Sequence, residues 1–169
     1  MTHSKAPLIT PILVGGCIIL IFSIGIRSAY GVFQIPISME FGWPRTEFSM
    51  AIAIQNLAWG IGQPIFGAFA EKFGDRRSII LGALLYAGGL ILTSVAVTPI
   101  GHQMISLLVG FGIAGTGFGV ILAIVGRAAS DENRSMALAI AAAAGSGGQV
   151  FGPPFSEFLL QRMPWQSVF

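Results

Sequence analysis

Five long apolar runs, separated by short polar connectors, constrain this chain more than any other feature. They cover residues 12–35, 48–70, 79–97, 103–125 and 136–160, each 19 to 25 residues long. At about 1.5 Å of rise per residue, a helix of that length crosses the ~30 Å hydrocarbon core of a bilayer, whereas a spanning strand needs only about ten residues. The connectors at 40–47, 71–78, 98–102 and 127–135 are short. Pro99, Gly101 and Pro164 are helix-break residues placed where the chain has to turn. Residues 164–169, an interfacial Trp165 followed by apolar positions, read as the opening of a sixth helix. The expectation is an all-α membrane protein, with a tail at 1–8 and a transmembrane bundle at 9–169.

Composition supports a chain embedded in lipid and removes other classes. Hydrophobic residues make up 54% and charged residues 9%, against about 25% charged in soluble domains. Mean hydropathy is +0.80. A net charge of +2, with no basic cluster interleaved with aromatics, gives no footing for nucleic acid. The single cysteine, Cys17, excludes a disulfide framework and a Cys/His metal site. His3 falls in the tail and His102 in an expected outer loop, and the acidic residues stand at run ends or in connectors. No catalytic constellation emerges, and no cofactor is implied. The stretch from Gly110 to Gly115 formally matches a dinucleotide fingerprint but has no preceding strand and no acidic residue about 20 positions on, so the match is rejected. The glycines of the fourth run, with the pair Gly115 and Gly119, instead permit close helix approach.

The basic residues orient the bundle. With a cytoplasmic N-terminus, the inner segments hold six of them: Lys5, Lys72, Arg76, Arg77, Arg127 and Arg134. The outer loops hold two, Arg45 and Arg162. That asymmetry follows the positive-inside rule, and it places Trp43 and Trp165 at the outer interface. A multi-pass protein of a bacterial inner membrane or plasma membrane is expected.

Arg27 is the one charge inside the first run, about four residues outward of its centre. A guanidinium there costs from ~2.5 to well over 10 kcal/mol, so a chain that keeps one normally has an anionic ligand or a buried acid for it. The competing reading is that Arg27 snorkels to the interface along its aliphatic stem. Ser23, Arg27, Tyr30 and Gln34 follow at spacings of 4, 3 and 4 and share a helix face that should look inward. Gln55, Trp59 and Gln63 form a second such stripe, with Asn56 beside it. These amides either line a cavity or merely hydrogen-bond across helices, at ~1 kcal/mol apiece.

Several motifs coincide with a known family. The segment 67–77, with Gly67, Glu71, Lys72, Gly74, Arg76 and Arg77, resembles the loop signature between the second and third helices of the major facilitator superfamily. Glu71 and Lys72 replace the more usual Asp and Arg and keep both charges. In that family the loop is a charge-and-turn latch that governs the conformational switch. Gly148, Gly152 and Pro153 are similar to a fifth-helix packing motif associated with antiporters. The arginine that opens the family's fourth-helix motif is absent here, with Leu107 or Leu108 near its place. The runs around Arg27 and from Glu40 to Arg45 resemble the monocarboxylate-porter and oxalate/formate branch.

This resemblance implies the six-helix N-terminal half of a major-facilitator fold, truncated as its sixth helix begins, in a bilayer beside a missing C-terminal half. It also implies a secondary transporter of small organic anions, monocarboxylates foremost, coupled to a proton or a counter-transported anion. Arg27 would pair with the carboxylate, Tyr30 and Gln55 would add hydrogen bonds, and Trp59 would form an apolar wall. One alternative is a drug or sugar exporter in which Arg27 pairs with an acid of the missing half. The other is a non-transporting fragment that pairs with another membrane protein.

Overall fold

The computed structural model describes residues 7–169, and every regular element in them is helical. The tail residues His3 and Lys5 lie outside the described residues. Helix α1, Pro11–Ala29, opens with Pro11 at its first turn and with Thr10 as cap, whose hydroxyl accepts from the Leu13 amide at 3.2 Å. It passes through a 3₁₀ turn, Tyr30–Phe33, into α2, Gln34–Phe41. Gly42 stops that stretch in the left-handed conformation, φ 64°. Then come α3, Arg45–Phe73, and α4, Asp75–Thr93, joined by Gly74 alone at φ 95°. Helix α5, Pro99–Thr116, is followed by α6, Phe118–Ala128, then α7, Arg134–Leu160, and a last turn α8, Trp165–Val168.

Among the described residues, three stretches are both long and apolar enough to cross a membrane: Pro11–Phe41, Asp75–Thr93 and Pro99–Ala128. Helices α3 and α7 have the length, 29 and 27 residues, but their amides, glycines and alanines dilute the apolar character expected of all five runs. Element ends differ from the apolar runs as well. The second helix begins at Arg45 and the third at Asp75, because charged residues continue the helix beyond its apolar part. The fourth run, expected as one helix over 103–125, breaks at Gly117, which is extended at φ −90° and ψ −169°. His102, expected in a loop, lies within α5 and is 1% exposed.

Small residues set how the helices pack. Along the α1–α7 seam, a Cβ added at Gly25 would stand 3.1 Å from the Gly148 carbonyl oxygen. One added at Gly148 would collide with the Ile21 carbonyl, and one at Gly152 with the Gly25 carbonyl. Helix α5 is pressed as closely between α3 and α4: an added Cβ at Gly110 would meet Ala58 at 2.7 Å, and one at Gly115 the Gly82 Cα at 2.7 Å. The packing role read from Gly148 and Gly152 therefore acquires a partner, α1. Pro153 has no N–H for the Gln149 carbonyl, and Ser28 Oγ donates to that carbonyl instead, at 3.2 Å. Helix α7 consequently runs on through Pro153 and Pro154.

The two ends of the bundle differ. At one end, Asp75 of α4 pairs with Arg127 of α6 at 2.6 Å, and Asp131 with Arg134 at 2.8 Å. At the other, aromatic rings from four parts of the chain meet: Tyr30 stacks with Phe48, Phe33 with Phe169, and Phe41 with Trp43. His102 stacks on Phe48, with ring centroids 5.3 Å apart. The Glu40 carboxylate accepts from the Trp165 indole and, at 3.0 Å, from the Gln166 amide, which ties α8 to the end of α2.

The α1–α7 seam yields a stability prediction. Gly152→Val should destabilise the folded protein by at least the ~1–3 kcal/mol of an overpacked contact. Gly147→Ala, where an added Cβ meets nothing within 4 Å, should stabilise it by roughly 0.5–1 kcal/mol. Thermal unfolding of the purified variants in detergent measures both, and equal midpoints would contradict the seam.

Candidate functional site

Arg27 lies close to the middle of the 31-residue helical stretch Pro11–Phe41, whose central residue is 26. Either end is then about 20 Å away along the axis, well beyond the reach of its own stem. Arg27 instead crosses from α1 to α3. Its Nη2 donates to Asn56 Oδ1 at 2.8 Å. Its guanidinium carbon stands 4.5 Å from the centroid of the Trp59 ring. Asn56 and Trp59 are three residues apart on α3, so both project from one face toward α1.

Magnitudes show what this arrangement leaves over. A hydrogen bond to a charged group contributes ~1.5–3 kcal/mol, and a partly exposed cation–π contact about 0.5–2. Together they offset the lower estimates for a guanidinium at this depth but not the higher ones. Among the described residues no carboxylate lies within ion-pair distance of Arg27. Its Nε is buried with no hydrogen-bond partner, and the same holds for the Trp59 indole nitrogen, which faces the helix break at Gly117. The rim of the group is open. Asn56 is exposed, and a Cβ added at Gly31 or Gly60, one turn along either helix, would meet nothing within 4 Å.

The four residues expected to act together are not all brought together. Arg27 and Trp59 meet. Tyr30 is buried at 2% exposure, with its hydroxyl 3.4 Å from Thr93 Oγ1 and its ring among Phe48, His102 and Phe169. Gln55 is also 2% exposed, packed where α3 meets α5, and its Nε2 has no partner. The polar stripe of α1 does look inward, but to different helices. Ser23 bonds Thr116 of α5 at 2.8 Å, and Gln34 reaches the Arg45 carbonyl at 3.4 Å. Gln63 Oε1 lies against Gly119.

Asn56, one of the amides expected either to line a cavity or to hydrogen-bond across helices, makes the cross-helix bond to Arg27. Its signal was the spacing to Trp59, and what was missing was the depth at which α3 passes α1. In the 67–77 segment, Glu71, Lys72, Gly74, Arg76 and Arg77 are exposed and Gly67 is half-buried. The residue of that segment that reaches a neighbouring helix is Asp75, through Arg127.

Comparison with known proteins fits this geometry. The family model described as Major Facilitator Superfamily matches residues 16–169. The chain belongs to the major facilitator superfamily. It is 32% identical over 147 residues to monocarboxylate transporter 13 of Bos taurus, covering 85% of this chain and 34% of that protein. Methyl viologen resistance protein SmvA of Salmonella typhimurium is 32% identical over 136 residues, 79% of this chain and 27% of that protein. A probable chloroplastic anion transporter 4 of Oryza sativa subsp. japonica is 30% identical over 141 residues, 80% and 23% respectively. The chain thus spans between about a quarter and a third of the length of these curated relatives.

Burial separates Tyr30 from the Arg27 group in a way that can be measured. Tyr30→Phe should cost about 1 kcal/mol of stability through its lost hydrogen bond and leave ligand affinity at Arg27 unchanged. Trp59→Leu should loosen the guanidinium and weaken that affinity several-fold. Paired melting and binding measurements on the two variants check the assignment, and a Tyr30→Phe protein with impaired binding contradicts it.

Proposed function

We propose that this protein is part of a secondary transporter that moves small organic anions, monocarboxylates foremost, across a cell membrane by alternating access. The observation that carries the reading is Arg27, mid-span, without a carboxylate partner among the described residues and open at its rim. A carboxylate substrate completes its charge balance through a charge-assisted contact. Similarity to a monocarboxylate transporter and to an anion transporter points to the same substrate class. Trp59 backs the guanidinium and walls the site, while Tyr30 and Gln55 support the helices around it. A proton or a counter-transported anion drives the cycle.

A second reading has an observation of its own, the equal similarity to a methyl viologen resistance protein. Under it the protein exports drugs, and Arg27 is neutralised by an acid from elsewhere in the protein. The segment with Glu71, Lys72, Gly74, Arg76 and Arg77 works under either reading as the conformational latch, away from the solute. Asp75 anchors it to α6 through Arg127.

Uptake of small labelled mono- and dicarboxylates into proteoliposomes, by the protein in its complete reading frame, separates the two. Arg27→Lys keeps the charge but loses the planar fork and should retain partial transport. Arg27→Gln should lose ~2–5 kcal/mol of substrate binding, roughly 30-fold to several-thousand-fold. A folded Arg27→Gln protein with wild-type anion affinity would remove the organic-anion reading.

The same proposal places the N-terminus and the Asp131 turn in the cytoplasm, on the asymmetry of the basic residues. In a Cys17→Ser background, a cysteine at the exposed Thr46 should react with an impermeant maleimide in intact cells. One at Asp131, whose side chain is 93% exposed, should react only after lysis. The reverse pattern inverts the topology.

A further inference from the structure

We infer that Asn56 is the positioning residue for Arg27, setting the guanidinium so that its unshared terminal N–H groups receive a carboxylate. The inference rests on the organic-anion reading and deepens it. A guanidinium has five N–H donors in a rigid fork. The Nε donor is buried without a partner. Trp59 covers one face of the plane. One of the two Nη2 donors is held by Asn56 at 2.8 Å. Nη1 is not among the buried unpartnered atoms and makes no hydrogen bond among the described residues. What remains for a ligand is Nη1 and the second Nη2 hydrogen, the donors that a charge-assisted contact to a carboxylate uses.

The chemistry of the clamp explains why an amide stands at this position. Trp59 alone leaves the guanidinium free to turn in its own plane over the ring. Asn56 removes that freedom with a neutral acceptor and so holds the cation without cancelling its charge. An aspartate would make the same hydrogen bond and also satisfy Arg27 as an ion pair, in direct competition with the substrate. The position therefore discriminates a ligand-orienting role from a structural one. A structural hydrogen bond survives the change from amide to carboxylate, whereas a ligand-receiving cation does not.

The test measures equilibrium binding of benzoate, with nitrate as a smaller non-carboxylate anion, to the protein in its complete reading frame. Wild type, Arg27→Gln, Asn56→Asp and Asn56→Ala are compared, each with its thermal midpoint. Asn56→Asp should melt no lower than wild type yet bind benzoate at least ~30-fold more weakly, approaching Arg27→Gln. Asn56→Ala should weaken benzoate by roughly 3- to 12-fold, and nitrate by less, because binding must then order a guanidinium that Asn56 no longer holds. Benzoate affinity within threefold of wild type in a folded Asn56→Asp protein overturns the inference. If that variant does not fold, unchanged benzoate affinity in Asn56→Ala overturns it equally. Undiminished binding in Arg27→Gln is a different failure, since it removes the organic-anion reading whatever Asn56 does.

Discussion

Backbone-to-backbone approach at small residues is the constraint on which the rest of this bundle depends. Within lipid, an apolar side chain gains little by leaving one apolar neighbour for another, so helices associate where their surfaces fit closely. Here α1 meets α7 at Gly25, Gly148 and Gly152, and α5 is received by α3 and α4 at Gly110, Gly112, Gly115 and Gly82. Those two seams set the depth of each helix against its neighbours. Once they close, Ser23 stands 2.8 Å from Thr116, Tyr86 donates to the Ser23 carbonyl at 3.0 Å, and Arg27 reaches α3.

The cations divide into two energetic classes. Arg127 and Arg134 pair with Asp75 and Asp131 near the basic end, with arginine side chains about half exposed. Such pairs contribute about 0–1 kcal/mol each, so their use lies in geometry: the first ties the start of α4 to the last turn of α6. Arg27 is costly where it stands, and its two protein contacts offset only part of that cost. A fold stabilised by seams elsewhere can retain such a residue, and the residual imbalance is what a substrate carboxylate would relieve.

The aromatic end shows how a connector becomes part of a core. Trp43, Phe48, Tyr30 and His102 gather from α3, its preceding turn, the 3₁₀ turn and α5. Trp165 and Phe169 close over Phe41 and Phe33 from the end of the chain. This layer holds the ends of α1–α2, α3 and α5 together without adding a charge inside the bundle, since Glu40 bonds at its edge.

Helical class, the approximate places of the long elements and the inward-facing polar stripe were legible in the sequence, because each depends on local quantities: run length, period and residue volume. The family motif at 67–77 was legible too. The break at Gly117 was not, since a glycine is compatible with helix and with extended chain, and only the packing of α5 between α3 and α4 selects the latter. Burial of His102 was missed because it depends on three rings brought from elsewhere in the chain. The candidate site divides in the same way. The sequence by itself determined that Arg27 must be paid for in lipid and that Trp59 lies on a polar face. Only the tertiary structure decided that Asn56 holds the guanidinium while Tyr30 and Gln55 are packed away from it. The reason is that a helix face is a local property, whereas the depth at which two helices pass each other is set by glycine contacts on their opposite sides.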